Sequence, residues 1–413
     1  MTLFSRSNVA CRLMLCFLIG ISSHVALAAS SDRAWLEDFQ ALTEEIIQYR
    51  QPPGVAVAIV TPNQVLSIKT YGFRELGKAA AIDEDTIFRV ASISKTCTGA
   101  LVAQLAAQGR IDIEAPIARY LPHIQVASPE HTRQLKVKHL LSHTTGLPGY
   151  SLEQEAYRRQ DFEALVKQLQ SVKAVSKPGK VHQYQNVLYS LLGPIIESVT
   201  QTSFADHLQR SLLHPLGITN YALRETDYTA CENVAKPHSR TKRQTASNPP
   251  SYKVCRPSSY YDNLLPAAAM GFNIKDMAKL LQAFMGGYPA VLEDKMLKEC
   301  RTPVAFVSKG VKGCKKQQCD CKKHTTEHYG LGWRIRQLKG KPIIYHTGAV
   351  YGYVTEIAFS NEEQIGIVVL ANSTNTIPHA ICRYFFHMLF DEDHQRPQRS
   401  KRFLNWKDSQ SKR

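Results

Sequence analysis

Ser92-Ile93-Ser94-Lys95 sets a hydroxyl and an amine three residues apart at the start of an apolar run, and on a helix the two would share one face. A serine hydroxyl is a weak nucleophile at neutral pH. An amine kept neutral by burial or by nearby cations is one of the few side chains able to activate it. The chemistry this suggests is nucleophilic acyl transfer. Ser239-Arg240-Thr241-Lys242 and Ser409-Gln410-Ser411-Lys412 repeat the spacing in polar surroundings. Only Ser92 is approached by a strand-like segment, Ile87-Phe88-Arg89-Val90, and followed by a helix-forming run over residues 96–107 with Gly109 as its stop. The tetrad alone is equally compatible with Ser92 as an N-cap and Lys95 as a solvated first-turn residue.

Two further segments break that tie. Tyr184-Gln185-Asn186 follows the turn signal Pro178-Gly179 and precedes the apolar run Val187 to Gly193, so it belongs to a loop entering a helix. His346-Thr347-Gly348 lies between the strand-like Pro342 to Tyr345 and Tyr353 to Phe359. In this order the three motifs resemble those of the penicillin-recognising serine hydrolases, the group of class C β-lactamases, D-alanyl-D-alanine carboxypeptidases and related esterases. Further segments look like landmarks of the same family: residues 53–60, 139–148, Pro266-Ala267-Ala268-Ala269 with Asp276-Met277-Ala278, and Tyr329-Gly330-Leu331-Gly332-Trp333. The resemblance runs from about Trp35 to about Phe390.

That resemblance implies roles. Ser92 would attack a carbonyl carbon and form an acyl-enzyme that water later hydrolyses. Lys95 would take or relay its proton, with Tyr184 as partner; which of the two is the general base stays open. Asn186 would bond Lys95 or the substrate amide. The oxyanion hole would be the backbone N–H of Ser92 with that of Ala349 or Val350, and Gly348 would admit the substrate closely. Tyr261-Asp262-Asn263 and Thr145-Gly146 are competing matches, set aside because the helix entry follows Tyr184. His143 reads as a turn-stabilising residue and Asp276 as one that caps or orients a helix. No cofactor or metal is implied.

One departure bears on substrate. Efficient class C β-lactamases carry Lys where this chain has His346, a feature similar to carboxypeptidases, esterases and β-lactamase-like hydrolases. A protonated His346, with Thr347, would orient a substrate carboxylate, and its charge would fade as pH rises through the imidazole pKa. Slow hydrolysis of another amide or ester is therefore favoured over strong antibiotic hydrolysis. No Gly-x-Ser-x-Gly elbow supports an α/β-hydrolase.

Residues 1–28 read as a signal peptide: Arg6 and Arg12, an apolar stretch from Leu13 to Ile21, and Ala26-Leu27-Ala28 as cleavage site. The stretch is shorter than the roughly 20 residues a spanning helix needs. The expectation is a periplasmic or secreted protein in which several of the ten cysteines form disulfides. Cys97 reads instead as a small core residue. Cys314, Cys319 and Cys321 lie in a basic insertion at about 307–328, which reads as a disulfide-pinned loop rather than a metal site using His324. The formal charge is +16, or +14 once Arg6 and Arg12 of the acid-free leader are set aside. It gathers in the insertion, in residues 236–243 and in a tail at 396–413. In an exported protein such patches read either as plain solvated surface or as contacts for anionic lipid or cell-envelope polymer, rather than for nucleic acid.

These residues need a scaffold. An amphipathic helix over residues 31–49 and a hairpin of Gly54 to Val60 with Val65 to Tyr71 open the chain. The late strands at 343–345, 353–359 and 365–370 would complete one antiparallel sheet, and a helix over 377–390 would close the chain. The expected fold is thus α/β (α+β): a sheet flanked by terminal helices, with a mostly helical lobe at about 92–285, all within a hydrolase domain at 29–395. The alternative function is a non-catalytic scaffold or envelope-binding protein that kept the fold. A binder, however, needs neither Ser92 nor Lys95 nor Tyr184.

Overall fold

The computed structural model describes residues 34–158, 160–242, 250–256, 263–309 and 326–391. Residues 1–33, most of the basic insertion and the basic tail lie outside these residues. Contacts divide the chain into two units, of which residues 50–390 form the larger. The smaller contains helical residues 34–49, on which Phe39, Thr43 and Ile46 recur at helical spacing as buried positions. No helix among the described residues is long and apolar enough to cross a membrane.

The larger unit is built on eight antiparallel strands: β1 (Gly54–Val60), β2 (Val65–Gly72), β3 (Ala305–Lys309), β4 (Thr326–Tyr329), β5 (Arg334–Leu338), β6 (Lys341–Val350), β7 (Tyr353–Ser360) and β8 (Ile365–Ala371). Their order is β2-β1-β8-β7-β6-β5-β4-β3, so the first hairpin joins the last strand. The hairpin turns at Thr61–Gln64, as its Pro62-Asn63 signal predicts. β1, β7 and β8 are buried at every position because both faces of the sheet are covered. Register aligns Ala58 with Val368, Val368 with Ile357, and Ile357 with His346, so these four share one face. Ala58, Val368 and Ile357 belong to the main core, together with the apolar side of helix Ile274–Phe284. Helix Ile377–Leu389 packs on β7 and β8.

Strands β3 to β5 escape a reading of hydrophobic pattern. β4 and β5 are short, half-polar segments, Thr-Glu-His-Tyr and Arg-Ile-Arg-Gln-Leu, and the basic insertion separates β3 from β4. The sheet is therefore wider than the five strands expected. The stretch between β2 and β3 is mostly helical but also carries a small three-stranded sheet, in which Phe88–Arg89 pairs with Gly271–Phe272. That pairing ties the approach to Ser92 to the segment after Pro266-Ala267-Ala268-Ala269.

Among the described residues, Cys97, Cys231, Cys255, Cys300 and Cys382 are free thiols. The expected disulfides are thus not formed by these five, and Cys314, Cys319 and Cys321 lie outside the described residues. Cys97 is fully enclosed in the core, and burial pushes its thiol up to about 12, which leaves it unreactive.

Candidate active site

The Ser92 segment begins with strain. Ala91 sits at φ 51°, a left-handed conformation that costs an L-residue about 1–2 kcal/mol. It starts a single 3-10 turn, Ala91–Ile93, that feeds helix Ser94–Ala107. Ser92 is therefore not the helix N-cap: position Ile93 precedes the helix and makes no side-chain capping bond. Instead the Ser92 hydroxyl, partly exposed, meets two side chains. The Tyr184 hydroxyl donates to Ser92 Oγ at 2.7 Å, and Lys95 Nζ stands 3.2 Å from the same oxygen.

Lys95 is wholly buried, contrary to a solvated first-turn residue. Its Nζ donates to Asn186 Oδ1 at 2.7 Å and to the Ala267 carbonyl at 2.9 Å. Burial holds its pKa well below the ordinary lysine value; Glu153 opposes that shift and Arg334 adds to it. A neutral amine has two N–H donors and one lone pair. With both donors directed at oxygens that can only accept, the lone pair is left for the Ser92 proton.

Tyr184 and Asn186 are placed by the loop at 142–150. The Gln185 N–H donates to His143 Nδ1 at 3.2 Å, the Gln185 carboxamide reaches the carbonyls of Leu147 and Pro148, and the Tyr150 N–H donates to the Tyr184 carbonyl at 2.8 Å. His143 thus holds the loop, as a turn-stabilising residue would. Asn186 precedes helix Val187–Ser190 without capping it, which frees its side chain for Lys95 and for Glu153, whose Oε1 accepts from Asn186 Nδ2 at 2.8 Å. Burial keeps the Tyr184 phenol well above its usual pKa, against the opposing effects of Ser92 and Arg334. Tyr184 is accordingly a proton donor in the resting site.

The His346-Thr347-Gly348 strand passes beside the Ser92 turn. The partner β5 ends where Arg334 faces Tyr345, so β6 is paired only with β7 from His346 onward. β6 also packs against the turn at Ala91–Ile93. A Cβ on Gly348 would come within 2.1 Å of the Val90 carbonyl, and only glycine allows that approach. Thr347 and the exposed Ala349 lie on the alternate face of the strand from His346, Gly348 and Val350.

His346 differs from the expectation of a charged carboxylate ligand. It is 1% exposed. Its Nδ1 bonds the Thr347 carbonyl at 2.8 Å, which makes Nε2 the acceptor for the Tyr329 hydroxyl, also at 2.8 Å. Burial, then Arg334 and Lys95, hold its pKa well below the usual imidazole value. Besides Lys95, a second basic side chain stands beside Tyr184: Arg334, which carries no sequence signal because it is simply the first residue of a short polar strand. Its Nη1 donates to Glu327 Oε1 at 2.6 Å and its guanidinium lies 5.6 Å from the Tyr184 ring centre. Burial opposes its charge, yet Tyr345 and Glu327 hold its pKa above the ordinary arginine value.

The landmark segments pack around this centre. A Cβ on Gly332 would meet the Lys95 carbonyl at 2.5 Å, and one on Gly99 the Leu331 carbonyl at 2.5 Å, so Tyr329 to Trp333 lies directly on the nucleophile helix. Thr98 Oγ1 donates to the Pro266 carbonyl, and the Met270 N–H to Ser94 Oγ. Asp276 lies in the first turn of helix Ile274–Phe284, where Asn273 is the cap and the two exchange bonds. Of the competing motifs, Ser239 to Lys242 forms a strand, whereas Tyr261, Asp262 and Ser409 to Lys412 lie outside the described residues. No group of three or more metal-ligating side chains is present among the described residues.

A family model described as Beta-lactamase matches residues 39–385, and the chain belongs to that family. Protein flp of Staphylococcus aureus is 22% identical over 81% of this chain and 63% of its own length. The unguisins hydrolase ungD of Aspergillus violaceofuscus is 24% identical over 82% of this chain and 61% of its own. The chain thus spans about three-fifths of the length of these curated relatives. The octameric penicillin-binding protein homologue from Pyrococcus abyssi superposes with a TM-score of 0.70 at 22% identity, covering 86% of this chain and 77% of that one, which shows the shared fold.

Proposed function

We propose that this protein is an exported serine hydrolase that cleaves an amide or ester bond through an acyl-enzyme on Ser92. The observation that carries the reading is the pair of contacts at Ser92 Oγ, from a protonated phenol at 2.7 Å and an amine with a depressed pKa at 3.2 Å. In this scheme Lys95 takes the Ser92 proton as Oγ attacks the carbonyl carbon. Tyr184 protonates the leaving group and regains its proton from the Lys95 ammonium; water then hydrolyses the ester. The relative named an unguisins hydrolase supports hydrolysis as the reaction type. Arg334 is the fixed cation able to attract an anionic group on the substrate, so a D-Ala-D-Ala-type peptide or a β-lactam, each with a carboxylate, fits as well as a small ester.

A fluorescent penicillin and a nitrophenyl ester test the reading on the mature protein. Covalent labelling or ester turnover in the wild type, lost in Ser92→Ala, is the expected result. Neither labelling nor turnover at any pH would leave a scaffold that binds without chemistry.

A further inference from the structure

We propose that Glu153 is a positioning residue of this site: it fixes the Asn186 carboxamide with its oxygen toward Lys95 and supplies the anion against which that amine ionises. The proposal rests on the acyl-enzyme reading above. Asn186 can present either an acceptor or a donor, and the two ends of its amide are nearly the same size. An ionised carboxylate accepts only. Because Glu153 Oε1 accepts a hydrogen bond from Asn186 Nδ2 at 2.8 Å, Oδ1 must face Lys95, where it stands 2.7 Å from Nζ. If the amide were reversed, an N–H would oppose the lysine donors and the Lys95 lone pair would turn away from Ser92.

The local backbone is shaped to bring the carboxylate there. Tyr150 at φ 57° and Leu152 at φ 59° are both left-handed non-glycine residues, a strain that persists only where surrounding contacts over-determine it. Ser151 Oγ anchors the turn on the Pro148 carbonyl, and the Tyr150 N–H ties it to the Tyr184 carbonyl. Glu153 Oε2 is enclosed with no hydrogen-bond partner. An acceptor so placed costs stability, and its use here is electrostatic. The groups acting on Lys95 are Arg334, His143 and His346 as competing proton or charge carriers, the rings of Tyr184 and Tyr189, and Glu153 as the anion. Of the two charged groups whose fields act on the Lys95 pKa, Glu153 favours the ammonium form and Arg334 opposes it, so Glu153 limits how far burial lowers that pKa.

The test is the pH dependence of kcat/KM on a neutral nitrophenyl ester for the wild type, Glu153→Gln and Glu153→Ala, with melting curves to establish folding. The acid limb reports ionisation of the base in the free enzyme. Removing the anion lowers the Lys95 pKa, so the amine stays neutral to lower pH and the limb should move down by about one pH unit in both variants. Glu153→Ala should also lose about tenfold in plateau kcat, because Asn186 is no longer anchored. An acid limb that stays in place in both variants, whatever the loss of rate, overturns the proposal, since a purely structural role removes active enzyme without moving a pKa. A wild-type protein without Ser92-dependent turnover would overturn the acyl-enzyme reading itself.

Discussion

The Tyr184 hydroxyl donates to Ser92 Oγ at 2.7 Å although the two residues are 92 positions apart in the chain. The phenol is held protonated by its surroundings, so in the proposed mechanism it serves as a donor poised beside Ser92 Oγ. Tyr184→Phe keeps the ring and removes that proton. The expected loss is about a hundredfold in kcat on an ester substrate, the usual worth of a general acid. A rate within threefold of wild type would remove Tyr184 from the proton path.

What sets Ser92 apart in the proposed mechanism is the strained turn and the buried amine, not the Ser-x-x-Lys spacing. Ser239, with the same spacing, lies on a hairpin strand. Ser92→Ala should abolish turnover and penicillin labelling without changing the melting temperature, and Ser239→Ala should leave both intact. Labelling that survives in Ser92→Ala would place the nucleophile elsewhere.

Discrimination for anionic substrates should follow Arg334 rather than His346. With the imidazole buried and its pKa lowered, kcat/KM for a penicillin should show no fall specific to that substrate as pH rises through about 6.5. Arg334→Ala should raise KM for carboxylate-bearing substrates by at least about tenfold and change it much less for a neutral ester, as loss of a charged contact predicts. A fall near pH 6.5 confined to the penicillin would restore the charged-His346 reading.

What the sequence reveals of this molecule is what is local. The helix after Ser92, the first hairpin and the closing helix are each written in contiguous residues, whose period and stop signals need no tertiary knowledge. Tyr184 could be chosen over Tyr261 for the same reason, since an apolar helix follows it. The protonation of His346 is of another kind. It depends on enclosure and on Tyr329, 17 residues away on another strand. Glu153 and Arg334 carry no pattern either: one opens a five-residue helix, the other a five-residue strand, and each gains its role from partners distant in the chain.

Acid stability follows from the same buried histidines. His143 is 0% and His346 1% exposed, and both have folded-state pKa values well below 6.5. Below about pH 6.5 the unfolded chain takes up protons that the folded protein refuses, so stability is present above that pH and lost on acidification. Each histidine contributes a slope that approaches about 1.4 kcal/mol per pH unit once the pH is well below 6.5. Urea unfolding of wild type and His346→Gln between about pH 7 and pH 5.5 should show the variant losing about 1 kcal/mol less over that interval. Equal slopes would mean that His346 is protonated in the folded state.

Two glycines at similar backbone angles separate strain from packing. Gly109, after the nucleophile helix, has φ 69° and open space where a Cβ would lie; Gly332 has φ 82° and the Lys95 carbonyl 2.5 Å from that position. Gly109→Ala should cost only the left-handed penalty of about 1 kcal/mol, with kcat unchanged. Gly332→Ala adds a backbone clash that cannot be relieved without moving either Tyr329 to Trp333 or the helix turn that carries Lys95. Overpacking of this kind costs about 1–3 kcal/mol beyond the strain. Because the clash falls on the Lys95 carbonyl, kcat should drop about tenfold or more, a displacement of about 1 Å being enough for a loss of that size. Melting temperature and kcat measured together decide the matter: if Gly332→Ala lost stability but kept full kcat, the segment would be packing for the helix and not a seat for the base.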